Sequence, residues 1–235
     1  MTTTVGSPST PRGRRTRAQL VEAASEVFAE KRFLDTNVSD IVARAGTAHG
    51  TFYRYFNSKE QIFREVALQL QRTMLMSSRP VDGDGDSNGD DADVPPPFAS
   101  LEEEMCWRIT RANRWYLAAY VRNAKLLAVI EQVATFNEEL REIRREMRRA
   151  FVDRAQRSIE RMQADGLALP DVDARYAASA LGSMVDRFAY VWLVLDEPFE
   201  VEEAARTLGL LWTRSLGLVV PTGEAVRPSS RDDDA

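Results

Sequence analysis

The stretch from Thr36 to Phe56, TNVSDIVARAGTAHGTFYRYF, most constrains the fold of this chain. Ile41 and Ala45 lie four residues apart, one helical turn, so both face the same way on a short helix from about Val38 to Ala45. Asn37 or Thr36 supplies its cap. Gly46 follows, and glycine adopts the left-handed conformation that a tight turn needs. A second short helix then runs from about Ala48 to Tyr53, with Phe52 placed to bury it against the first. Ala45 is small enough to let the two helices pass closely. These are the steric needs of a helix-turn-helix, and they leave the front of the second helix free to enter a major groove.

The flanks extend this unit. Leu20, Val21, Ala24, Val27 and Phe28 recur at helical spacing, predicting a helix that ends near Arg32. Ser58 and Gln61 read as a capping box opening a longer helix that carries Ile62, Phe63, Val66, Leu70 and Met74. Residues 1–13 are rich in Thr, Ser, Pro and Gly and are expected to be disordered. Arg12, Arg14, Arg15 and Arg17 cluster beside them, a candidate basic arm for phosphate or a minor groove.

The run DIVARAGTAHGTFYRYFNSKEQIFREV, residues 40–66, resembles the N-terminal signature of TetR-type regulators. The agreement lies at Ile41, Ala45-Gly46, Gly50-Thr51-Phe52-Tyr53, the pair Tyr55-Phe56, and Lys59-Glu60 with Ile62 behind them. Thr47 departs from the serine commoner there but keeps a hydroxyl. The resemblance covers about residues 14–70. It implies a homodimer, a helical ligand-binding domain, and repression relieved by a small molecule. Beyond this region the chain is similar to the family only in being helical and of suitable length.

Residue chemistry assigns roles within the motif. Thr36, Thr47, Thr51, Tyr53 and Tyr55 offer hydroxyls to phosphates, and Lys59, Arg14 and Arg15 offer charge. Such contacts position a protein on DNA without reading sequence. Base reading falls to Ala48, His49 and Gly50 at the tip of the second helix: imidazole can donate to guanine, and a methyl can touch thymine.

Charge is divided along the chain. The net value is −5, yet the residues through Arg79 carry +5 and those from Pro80 onward −10. A basic front and an acidic rear suggest that only the front meets double-stranded DNA. Between them lies Asp82 to Pro97, rich in Asp, Gly and Pro, expected to be a flexible acidic linker. Asp82, Asp84, Asp86 and Asn88 imitate calcium-loop spacing, but Ser87 stands where glycine is needed and Asp93 where glutamate is needed, so no metal is assigned.

The remainder reads as all-α. One or two helices fill Phe98 to Thr135, a long one spans about Asn137 to Asp165 and stops at Gly166, and two more cover about Asp171–Leu195 and Glu200–Leu216. The tail from Pro221 is polar and expected to fray. Three parts follow: a DNA-binding domain at 14–78, a linker at 79–97, and a ligand-binding and dimerisation domain at 98–220. Phe188 to Leu195 and Leu208 to Trp212 are apolar nearly all round, as helices shared between a core and a dimer partner must be. Large apolar groups mixed with Arg108, Asn113, Asp186 and Arg187 suggest a pocket for a small hydrophobic effector, with Trp115, Tyr116, Phe188 and Trp192 as lining candidates.

Other classes fit poorly. His49 and Cys106 are the only residues of their kinds and neither has a partner in sequence, which argues against an enzyme using hydrolase, thiol or histidine-metal chemistry. No cofactor is called for. No apolar run suits a membrane span and no secretory leader is evident, so a cytoplasmic protein is expected. The leading reading is a ligand-responsive repressor; the alternative is a DNA-binding protein controlled by a protein partner.

Overall fold

The computed structural model describes residues 10–77 and 95–218. Within them all regular structure is helical, in eight helices: α1 Pro11–Asp35, α2 Val38–Arg44, α3 His49–Tyr55, α4 Lys59–Ser77, α5 Leu101–Ala134, α6 Glu138–Ala164, α7 Ala174–Val194 and α8 Val201–Ser215. The acidic segment 82–93 and the tail from Pro221 fall outside the described residues.

The N-terminal unit is built around aromatic rings. Phe28 lies 4.7 Å from Phe63 and 5.8 Å from Phe33, which joins α1 to α4. Ile41 and Phe52, fully buried, bring α2 and α3 onto that core. α1 begins earlier than its apolar stripe foretold. Thr10 caps it by accepting from the Gly13 amide, and Pro11 occupies the first turn, where a missing N–H costs nothing. The expected arginine arm is therefore part of a helix. At Arg32 the backbone leaves helical geometry (φ 65°).

In the second unit, α8 packs chiefly on α5, and α7 packs on α6 and α5. α5 is one unbroken helix of 34 residues, capped by Ser100. α6 ends as its sequence predicts. Gly166 takes φ 72°, and the Leu167 and Gly166 amides donate back to Met162 and Gln163. α4 touches both units, packing on α1 and also on α5 and α6. No helix among the described residues is long and apolar enough to cross a membrane.

Candidate nucleic-acid interface and ligand cavity

Helix α2 is fixed at both ends. Asn37 and Asp40 form a reciprocal capping box, each side chain 3.0 Å from the other's backbone N. At the far end Gly46 sits at φ 62°, where a Cβ would be strained. The Thr47 amide donates to Val42 O at 2.9 Å and the Gly46 amide to Ala43 O at 3.2 Å, which satisfies carbonyls a helix end otherwise leaves open. Arg44 reaches back to Glu26 at 2.8 Å and Glu30 at 2.6 Å on α1, locking α2 in place. The Arg44 hydrogen bond holds the Glu30 carboxyl below its ordinary pKa.

This framework presents one face of α3. His49, Gly50, Tyr53 and Arg54 are exposed, as is Ala48 at the N-cap; Thr51 and Tyr55 are half-buried. His49 Nε2 lies 3.1 Å from Ser39 Oγ, which orients the imidazole. Nothing stands within 4 Å of a Cβ built on Gly50. Arg54 escaped the sequence reading, which assigned phosphate contacts to the hydroxyls on either side of it and base reading to the helix tip. Its signal was its position four residues after Gly50, on the same outward stripe.

Three of the expected phosphate contacts are placed elsewhere. Thr36 is buried and its hydroxyl donates to Arg32 O at 2.6 Å. The Thr47 hydroxyl is shut off from solvent. Lys59 Nζ donates to Phe33 O and Thr36 O, both at 2.8 Å, and sits 4.5 Å from the Phe33 ring centre. It closes the carbonyls at the end of α1, a structural duty that sequence spacing could not reveal. Arg14 and Arg15 are exposed on the first turns of α1, whereas Arg17 is held by Glu65 at 2.8 Å and lies over the Phe56 ring. The box expected at Ser58 is shifted: Ser58 Oγ accepts from the Gln61 amide, but the Gln61 side chain accepts from Asn57 N.

A cavity of about 400 Å³ lies in the second unit, walled by α5 to α8 and by Met74 of α4. That size falls in the range of small-molecule sites, about 300–1,000 Å³. Trp115 and Tyr116 line it as expected; Phe188 and Trp192 do not. α7 turns Ala178, Gly182, Val185 and Asp186 to the cavity, and Phe188, two residues on from Asp186, points well away around the helix. Phe188 packs instead on Phe199 at 4.9 Å and near Trp192. The wall is more polar than expected because α6 sends Arg144 and Arg148 into it. Tyr116 donates to Asp186 Oδ1 at 2.6 Å, and Arg144 donates to Asp186 Oδ2 at 2.9 Å and to Glu131. Burial, and then the Asp186 charge, push the Tyr116 pKa well above its ordinary value, so its hydroxyl stays a donor. Arg111 lies over both Trp107 and Trp115, 4.6 and 4.1 Å from the ring centres.

A helix-turn-helix with an exposed second helix, joined to a helical unit around a cavity, defines a DNA-binding transcriptional regulator. Residues 20–66 match the sequence model of bacterial regulatory proteins of the tetR family. Over 193 residues the chain is 24% identical to the HTH-type transcriptional regulator TtgR of Pseudomonas putida, covering 79% of this chain and 84% of that one. Its fold is similar to the TetR-family regulator PfmR of Thermus thermophilus, with TM-score 0.61, 22% identity, and coverage of 83% of this chain and 97% of that one. It is also similar to the regulator FadR of Bacillus subtilis, solved in complex with stearoyl-CoA, with TM-score 0.64, 19% identity, and coverage of 83% and 96%. Residues 20–66 thus carry the DNA-binding signature of the tetR family, and the chain as a whole is similar in fold to TetR-family regulators.

Proposed function

We propose that this chain is a homodimeric repressor that holds its operator through α3 and releases it when a small, largely apolar molecule fills the cavity. The observation carrying this reading is the path of α4. At its start Lys59 closes the end of α1; near its finish the buried Met74 forms part of the cavity wall. A molecule that prefers one position of α4 therefore also biases the position of the DNA-reading helices. A ligand shifts such an equilibrium only by its different affinity for the two states. The relative solved with stearoyl-CoA supports a ligand of apolar character.

In this reading α1 to α4 form the DNA-binding unit and α5 to α8 the effector and dimer unit. His49, Gly50, Tyr53 and Arg54 face the groove, and Ala48, Thr51 and Tyr55 flank them. Arg14 and Arg15 approach phosphates from the start of α1. Trp115 and Tyr116 contact the effector.

Selection of bound sequences from random DNA tests the first half. The expected site is an inverted repeat, with half-site centres about 34–36 Å apart or a multiple of that. His49→Ala should alter the preferred base at one symmetric pair of positions. A selected site without two-fold symmetry overturns the dimeric reading. Operator complexes titrated with apolar compounds test the second half: a compound that occupies the cavity and never releases DNA favours control by a protein partner.

A further inference from the structure

The cavity carries hydrogen-bonding groups that the chain itself leaves unpaired, and they are of one kind. Trp212 of α8 and Asn113 of α5 both line it, and they are only 9% and 7% exposed. Trp212 Nε1 and Asn113 Nδ2 are shut off from solvent and have no hydrogen-bond partner among the described residues. Buried polar groups are nearly always paired, so two orphans on one cavity wall point to a missing partner. An indole N–H can only donate. Arg148, another lining residue, has the same sense. It donates to Ser179 O, Ser179 Oγ and Ser183 Oγ at 3.2, 2.9 and 2.8 Å, and no carboxylate pairs with it among the described residues. The cavity's acids, by contrast, are engaged or peripheral. Both oxygens of Asp186 accept from neighbours, and Asp165 is exposed at the end of α6.

Asn113 and Trp212 flank one close contact between α5 and α8. Gly209 of α8 lies so near α5 that a Cβ on it would sit 3.2 Å from Thr110 Cα. Arg114 pairs with Glu202, so the helices run antiparallel through this contact. Asn113 and Trp212 each follow the contact by three residues on their own helix. Helical side chains lean back toward the N-terminus, so both lean toward the contact from opposite sides.

The geometry points to an effector that is largely apolar and carries a carbonyl or carboxylate oxygen, with Trp212 and Asn113 donating to that oxygen. One such oxygen has two lone pairs and can accept from both. This rests on the ligand-responsive reading above and adds the chemistry of the head group. Lipophilic ammonium compounds of equal size are selected against: they leave both donors unpaired and place positive charge near Arg148.

The test is calorimetric titration of the full-length protein with decanoate, methyl decanoate and decyltrimethylammonium, below micelle-forming concentrations. Decanoate and methyl decanoate are expected to bind at least about tenfold more tightly than the ammonium compound. Trp212→Phe and Asn113→Leu should each weaken the two oxygen-bearing probes by about tenfold. The melting temperature of the empty variants should hold or rise, because each has lost an unpaired buried donor. A purely packing role would lower the melting temperature and leave the probe selectivity intact. Equal binding of the ammonium probe, or unaltered selectivity in both variants, overturns this inference and leaves the effector reading standing. Binding of none of the three overturns it as well; whether any small molecule releases operator DNA decides the effector reading separately.

Discussion

Lys59 uses its charge inside the DNA-reading unit. Its two bonds to carbonyls of the α1 terminus replace contacts that a helix end would otherwise seek from water. Lys59→Ala is expected to cost about 1.5–3 kcal/mol of stability, the range for bonds to a charged group, read from the urea midpoint. The salt dependence of operator binding should keep its slope. A fall of about 1 in that slope would mean that the ammonium neutralises a phosphate after all. Gly50 offers the converse case. It lies within α3 with open space where a Cβ would be, so Gly50→Ala should stabilise the protein by up to about 1 kcal/mol through helix propensity alone. Operator affinity should nonetheless drop, because the space beside Gly50 is where a base edge would stand. Gained stability with unchanged affinity would remove Gly50 from the interface.

At the scale of elements, what could be read in the sequence was what lies on one helix. The Gly46 turn, the Asn37 cap, the Gly166 stop and the spans of α6, α7 and α8 follow from local rules and recur in the structure close to their expected ends. The start of α1 was missed because its first turn has few apolar residues, although Thr10-Pro11 is a capping pair. What one helix cannot encode is which of its faces meets which neighbour. Phe188 and Trp192 were assigned to the cavity by their size, but the rotation of α7 turns smaller groups toward it. Arg144 and Arg148 were hidden among the many charges of α6, and their partners Asp186 and Ser179 lie about a helix away in sequence. The α5–α8 contact is of this non-local sort and gives a sharp expectation. A Cβ on Gly209 would come within 2.3 Å of Thr110 Oγ1 and 3.2 Å of Thr110 Cα, so the backbone of α5 has to yield. Gly209→Ala is expected to destabilise by about 1–3 kcal/mol, as overpacking does, despite alanine's better helix propensity. Thermal denaturation checks it, and a stabilised variant would mean that α8 packs less closely on α5.

For the whole molecule the question is how a seven-residue helix reads an operator. Four exposed side-chain positions on α3 cover few base pairs, and most other surface contacts go to phosphate, which carries no sequence information. Two copies related by a two-fold axis double the contacts and make affinity depend on both half-sites. The outer surface of α7 and α8 is suited to join them. Tyr176, Ala180, Met184, Arg187 and Val191 form a stripe at helical spacing along α7, with Tyr176 77% exposed. Leu211 on α8 is 45% exposed while Leu208 and Trp212 on the same helix are buried in the chain's own core. Because Leu211 is not part of that core, Leu211→Glu should leave the fold of each chain intact. A carboxylate at the centre of an apolar dimer interface has no partner to offset its desolvation, so the dimer should weaken. Sedimentation at micromolar concentration should then find monomers with an unchanged helical circular dichroism signal, and operator affinity should fall by more than about a hundredfold, as expected when two linked sites become one. A dimer that persists in Leu211→Glu places the interface on another face of the molecule. A monomer that still binds operator at full strength would mean that a single α3 suffices.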